Sequence, residues 1–233
     1  MTLPPLHRTE LHHAGVDDGP TLEFWHDLQH VMRSLHQSMP ILGPWMEARI
    51  KAMMTVWLPA GWRLSGPSQI VDPARPDLRS RSWDIVVHRP FNDRGYPPPA
   101  SPESGMPLVP IHSVAAVIDT KTTFDDPRSY ARQTVFDLMN RAAEPQLAFL
   151  GPGLARIVLA AASNRSADAL FAAGREVGLE VFTMARARTG PVSDGPERLT
   201  TWTLQRLAEG EAPLACFRTS VMTAVASGSW RQQ

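Results

Sequence analysis

Cysteine is almost missing from this sequence: Cys216 is the single one in 233 residues. One thiol can neither close an internal disulfide nor build a cysteine-ligated zinc site, which excludes a disulfide-stapled secreted scaffold and a zinc ribbon and leaves a reducing cytoplasm as the expected compartment. Long apolar runs are missing too. No stretch approaches the ~20 residues that a membrane-spanning helix requires. The N-terminus, with His7, Arg8, Glu10, His12, His13, Asp17 and Asp18, lacks the apolar core of a signal peptide. Net charge is absent, with 23 basic and 23 acidic groups. That disfavours a surface that coats nucleic acid all round, though not a local basic cleft. Lysine is scarce as well, since 21 basic residues are Arg and only Lys51 and Lys121 are Lys. A chain that takes its positive charge from Arg leaves Lys for positions where a compact ammonium serves better, beside a water or a phosphate oxygen.

What is present fits one soluble domain over 21–233 after a flexible arm, 1–20, that shows no period and carries Pro4, Pro5, Gly15, Gly19 and Pro20. Phe24, Leu28, Val31 and Leu35 at helical spacing predict a helix over 22–37, with Thr21 as N-cap. A second helix is expected from Pro44 to Pro59, burying Met46, Ile50, Met53, Met54 and Trp57. Residues 68–71 and 82–88 read as strands, with 72–81 as the loop of a hairpin. Seven prolines then make 89–110 a long irregular connection.

Ser113-Val114-Ala115-Ala116-Val117-Ile118 is the strongest buried-strand signal, and it runs directly into Asp119-Thr120-Lys121. A helix capped by Asp125 or Asp126 is expected up to Pro145, burying Ala131, Val135, Leu138 and Ala142. Strand 156–162, helix 166–177 closed by Gly178, and strand 179–184 follow; 199–208 is open between helix and strand, and Leu214, Phe217, Val221 and Val225 are spaced as a helix. Such alternation predicts an α/β fold, a mixed central sheet flanked by helices with an extra N-terminal helix.

Two acids, Asp84 on one strand and Asp119 at the end of another, stand out with Lys121. A carboxylate in a buried strand is unfavourable unless solvated, paired or bound to metal. Two hard oxygen donors suit Mg²⁺ or Mn²⁺, and period-2 alternation sends Asp119 and Lys121 to the same face. Metal and ammonium would then flank one water, an arrangement suited to phosphodiester hydrolysis. The structural alternative is a strand-end ion pair, and a bare Asp-x-Lys match is common.

The order helix acid (Met46-Glu47-Ala48-Arg49), Leu58-Pro59, hairpin, Asp84-Ile85-Val86-Val87, then Val117-Ile118-Asp119-Thr120-Lys121-Thr122-Thr123 resembles the PD-(D/E)XK nuclease superfamily over about residues 45 to 125. Within it, the order is most similar to that of an uncharacterised bacterial branch. The resemblance implies a restriction-endonuclease-like fold and a Mg²⁺- or Mn²⁺-dependent endonuclease. Asp84 and Asp119 would be the metal-binding acids, Lys121 the catalytic lysine, Glu47 the helix acid, and the Thr120 carbonyl a further ligand. It implies nucleic acid, DNA foremost, as partner, no membrane, room for a homodimer, and a role in bacterial restriction or anti-phage defence. Asp119 departs from the Glu more usual in the branch, and Trp83 from its Pro.

Other candidates are weaker. His26 and His30, with Glu23, lie opposite the apolar stripe of their helix and read as solvated surface. Tyr130 and Gln133, after the motif, read as helix surface and stay unassigned. Arg75, Arg79 and Arg81 in the hairpin loop, and Arg186 and Arg188, are candidate phosphate contacts or plain surface. Two other functions compete: an inactive nuclease-like fold that binds nucleic acid or a regulatory partner, and a metal hydrolase of small phosphate esters.

Overall fold

A computed structural model describes residues 7–12, 19–34, 39–90, 105–132, 134–137, 142–145, 150, 154–191, 198–207 and 210–227. Gln133, Leu138 and most of the proline-rich connection lie outside them. So do residues 1–6 and 13–18 of the expected arm, but its middle, His7–His12, is strand β1. Helices α1 (Gly19–Ser34) and α2 (Met39–Trp57) follow. The second begins five residues before the expected start, with Pro44 inside it. Pro44 is its sixth residue, past the amides that lack helical partners, so its ring costs the helix the bond to the carbonyl of residue 40, on an exposed side of the helix.

β2 (Arg63–Ser65), β3 (Ser68–Asp72), β4 (Arg75–Trp83) and β5 (Ile85–His88) form one long bent hairpin. Most of the expected 72–81 loop is therefore strand, and only Pro73 and Ala74 turn the chain. β2 pairs antiparallel with β5, and β3 with β4, so the hairpin passes from one sheet to another between Ser65 and Ser68 on one arm and at Asp84 on the other. Asp84 thus lies between two strands rather than within one. Gly66 faces it at a φ of 150°, so close that a Cβ there would lie 2.0 Å from the Asp84 carbonyl oxygen. Glycine is what permits this crossing.

β6 (Leu108–Pro110) emerges from the proline-rich connection and pairs parallel with β3. β7 (Val114–Thr123) follows a single 3₁₀ turn and continues through Asp119, Thr120 and Lys121 for two residues more. Asp126 caps α3 (Pro127–Ala131), its side chain accepting from the Ser129 amide, but the helix stops there. The expected helix to Pro145 is replaced by the hairpin β8 (Thr134–Asp137) and β9 (Ala142–Pro145). β-branched Thr134 and Val135 and aromatic Phe136 suit a pleated strand as well as an inner helix face.

β10 (Ala155–Ser163), α4 (Ala167–Glu176, capped by Ser166), β11 (Glu180–Pro191), β12 (Arg198–Leu204) and α5 (Pro213–Ser227) complete the chain. The seven-stranded sheet runs β1-β12-β11-β10-β7-β5-β2, and the five-stranded one β6-β3-β4-β8-β9. β10 is parallel to both β7 and β11, whereas β5 is antiparallel to β7. On one face of the large sheet, Ile85, Ile118, Ile157 and Phe182 pack with α1, α2 and α5. On the other, Val86, Val117, Val158 and Val181 pack with α4, Trp83 and Tyr130. Period-2 alternation puts Asp119 and Lys121 on this second face, with Val117.

Candidate active site

Lys121 Nζ donates to Asp119 Oδ1 at 2.6 Å, so the expected same-face placement of these residues holds. Asp119 is only 1% exposed. Its other oxygen, Oδ2, accepts from Arg81 at 2.7 Å and from the Tyr130 hydroxyl at 2.9 Å. Asp84 arrives from the break between β4 and β5 and accepts through Oδ2 from the Thr120 amide at 2.7 Å and the Thr120 hydroxyl at 2.9 Å. The structure thus brings Asp84, Asp119, Thr120 and Lys121 together.

The two carboxyls influence each other. Burial pushes the Asp84 carboxyl up to about 6, aided by its hydrogen bond to Asp119 and by the charge of Asp119, against the opposing Thr120 amide. Burial would also raise Asp119, but the hydrogen bond from Asp84 and the cations Lys121 and Arg81 hold it below the ordinary carboxylate range. One environment therefore drives two equal side chains apart. Burial, and then the Asp119 charge, raise the Tyr130 hydroxyl well beyond its ordinary value, so it remains a protonated donor.

Glu47 is placed differently. Its carboxylate pairs with Lys51 one turn along α2, and Lys51 also donates to the Gly66 carbonyl at 2.8 Å. Gly66 in turn packs on the Asp84 backbone. Met46 and Ile50 of α2 pack on the Ile118 face of β7, so the helix acid approaches from the side opposite to Asp119 and is linked to Asp84 through Lys51 and Gly66. Among the described residues, no three His, Cys, Asp or Glu side chains gather as a metal ligand set. The acids of the site are a pair.

The donor set fits a divalent oxygen-seeking ion. Asp84 and Asp119 are hard anionic ligands. The Thr120 carbonyl lies on the same strand edge as the amide that meets Asp84, because a strand residue turns both groups to one side. Asp84, raised first by burial and then by the neighbouring Asp119, is a carboxyl whose charged form a divalent ion would stabilise.

Two participants were not foreseen in their places. Arg81 belongs to β4, with its guanidinium 5.1 Å from the Tyr130 ring centre and 5.8 Å from that of Trp83. The alternation Arg79, Arg81, Trp83 was the available signal, hidden by reading the segment as loop. Tyr130, taken as helix surface, is buried against Trp83 and Phe124. His26 and His30 are exposed, as expected.

No protein-family model matches the sequence, and no curated protein matches it either. Solved structures do. NucC of P. aeruginosa ATCC27853 in its cAAA-bound form shares 16% identity over 90% of each chain, with a TM-score of 0.51. NucC of E. coli MS115-1, also cAAA-bound, shares 16% identity over 92% of this chain and 94% of that one, with a TM-score of 0.50. At such identity the likeness is one of fold: the chain has a restriction-endonuclease-like fold, a mixed central sheet flanked by helices. This agrees with the superfamily that the motif order resembles and does not bear on the branch.

Proposed function

We propose that this protein is a metal-dependent nuclease that hydrolyses phosphodiester bonds of DNA, in bacterial restriction or anti-phage defence. The observation that carries the reading is the convergence of Asp84, at the edge of β7, with Asp119 and Lys121 of that strand, at the point where the hairpin changes sheets. The restriction-endonuclease-like fold supports it. No helix among the described residues is long and apolar enough to cross a membrane.

Asp84, Asp119 and the Thr120 carbonyl would hold Mg²⁺ or Mn²⁺, which when bound supplies a water of lowered pKa and positive charge beside the phosphate. The chain's own groups supply the rest. Thr120 fixes the Asp84 carboxylate through two donors, so its orientation needs no rearrangement on binding. Lys121, tethered beside Asp119, presents an ammonium that orients the attacking water and stabilises the charge that develops on the phosphate oxygens. Tyr130 keeps the rotamer of Asp119 fixed. Glu47 acts from α2 by positioning, through Lys51 and Gly66, the backbone that carries Asp84.

One observation favours a second reading. Both oxygens of Asp119 are already bonded, to two cations and to Tyr130, and such a hub also suits a catalytically inactive fold that binds nucleic acid or a protein partner. Cleavage of plasmid and linear DNA with Mg²⁺, Mn²⁺ or EDTA separates the two. The nuclease reading expects divalent-dependent cleavage that Lys121→Ala lowers by ~10³-fold or more with the melting curve retained. Undiminished cleavage in that variant removes the assigned site, and DNA binding indifferent to metal, without cleavage, selects the second reading.

A further inference from the structure

Besides its contact with the Asp84 carboxyl, Asp119 already has three donors on its about four lone-pair positions: Lys121 on Oδ1, and Arg81 and Tyr130 on Oδ2. A divalent ion at this carboxylate competes with them, and the two cations also oppose it by charge. The three donors differ in how readily they can leave. Tyr130 is neutral, buried, and held between Trp83 and Phe124. Lys121 is tied to Asp119 by the strand, two residues along. Arg81 reaches in from the other sheet on a long side chain that is 29% exposed. Its guanidinium already lies over the rings of Tyr130 and Trp83, which can hold a cation that has let go of a carboxylate.

We propose that Arg81 is the exchangeable cation of this site: it neutralises Asp119 while the divalent position is empty, and turns to the phosphodiester once Asp119 is committed to the ion. The inference rests on the nuclease reading above and adds to it a substrate-contacting residue outside the Asp-x-Lys motif. A guanidinium is suited to both partners, since its planar fork of N–H donors matches carboxylate and phosphate alike. The distance to be covered is small because the scissile phosphate must lie beside the same ion. In the metal-free protein the exchange sets a threshold, as divalent binding has to overcome an existing ion pair.

Arg81→Met and Arg81→Gln in the full chain test this, with melting curves in EDTA to confirm folding. Mn²⁺ is titrated by calorimetry and electron paramagnetic resonance without DNA, and a short labelled DNA duplex is then bound in Ca²⁺. Mn²⁺ is expected to bind both variants about tenfold more tightly than the parent protein. The duplex is expected to bind about tenfold more weakly, with a salt slope reduced by about one. Mn²⁺ affinity that is unchanged or weaker in the variants overturns the exchange, and tighter Mn²⁺ with unchanged duplex binding overturns the transfer to phosphate. The failures are distinguishable: if the parent protein takes up Mn²⁺ and cleaves DNA while the variants match it, only this inference falls. If no form takes up Mn²⁺, the nuclease reading falls with it.

Discussion

One oxygen of Asp84 accepts both donors of Thr120, the amide at 2.7 Å and the hydroxyl at 2.9 Å. The β5–β7 register pairs Ile85 with Ile118, so the ladder would next reach Asp84 and Asp119. β5 starts only at Ile85, and the Asp84 side chain serves a β7 amide beyond the strand's end. A buried backbone donor is thereby satisfied by the group that forms half of the site.

Thr120→Val removes the hydroxyl bond and keeps the shape. A hydrogen bond to a charged acceptor contributes ~1.5–3 kcal/mol, and the amide bond that remains places the loss at the lower end. Urea unfolding should show the variant about 1.5 kcal/mol less stable, with Thr120→Ser close to the parent. A loss confined to Thr120→Ser, with Thr120→Val as stable as the parent, would assign the effect to the methyl group.

Asp84 makes stability depend on pH. Its folded-state carboxyl is raised from 3.8 to about 6, so between these values the folded protein binds a proton that the unfolded chain releases. The stabilisation is complete below about pH 4 and is lost as pH rises to about 6. Asp119 works in the opposite sense and lower: its carboxyl is depressed, and the stability it gives above pH 4 is lost as pH falls through its folded value. For a group cut off from water the Asp84 effect would be ~3 kcal/mol; with partial exposure ~1–2 remains. Asp84→Asn, with an amide oxygen that can still accept from Thr120, should flatten the decline between pH 4 and 6 in EDTA. It should also be the more stable form at pH 7. An unchanged slope in urea titrations would show that burial does not raise Asp84.

Gly66→Ala tests the sheet crossing. A methyl 2.0 Å from the Asp84 carbonyl oxygen meets backbone, which cannot step aside as a side-chain tip can. With the positive φ added, a loss of ~3 kcal/mol or more is expected, together with loss of metal uptake as Asp84 shifts. Gly43 has open space at its Cβ position and is the control: Gly43→Ala, in α2, should be neutral or mildly stabilising.

The parts of this architecture legible in the sequence were those governed by local pattern. The Val114–Ile118 run marked the central strand, and alternation correctly sent Asp119 and Lys121 to one face. Ser166 and Gly178 bounded α4 because a cap and a positive φ leave local signatures. What stayed hidden depended on distant contacts. Arg75 to Arg81 reads as loop because it is rich in charge, and the partner that Arg81 finds, Asp119, lies 38 residues away. Thr134 to Pro145 keeps helical spacing of apolar residues, yet pairs as a hairpin extending the β3–β4 sheet. Tyr130 needs Asp119 beside it before its burial makes sense.

Glu47 is the acid for which motif order and geometry part, and its variants can separate a ligand from a positioning group. Its carboxylate is tied to Lys51, which holds the Gly66 carbonyl, which abuts Asp84. A group acting at that remove behaves as an outer-shell partner, with losses of ~10- to 100-fold. Glu47→Gln should therefore lower cleavage by about tenfold, whereas Asp119→Asn should lower it by ~10³-fold or more. Because Glu47 and Lys51 act in series, Lys51→Met should give a similar loss, and the double variant little more than either alone. Mn²⁺ affinity decides the matter independently of turnover. A Glu47→Gln protein that loses Mn²⁺ as completely as Asp119→Asn would make Glu47 a ligand and would require α2 to move toward the carboxylate pair on binding.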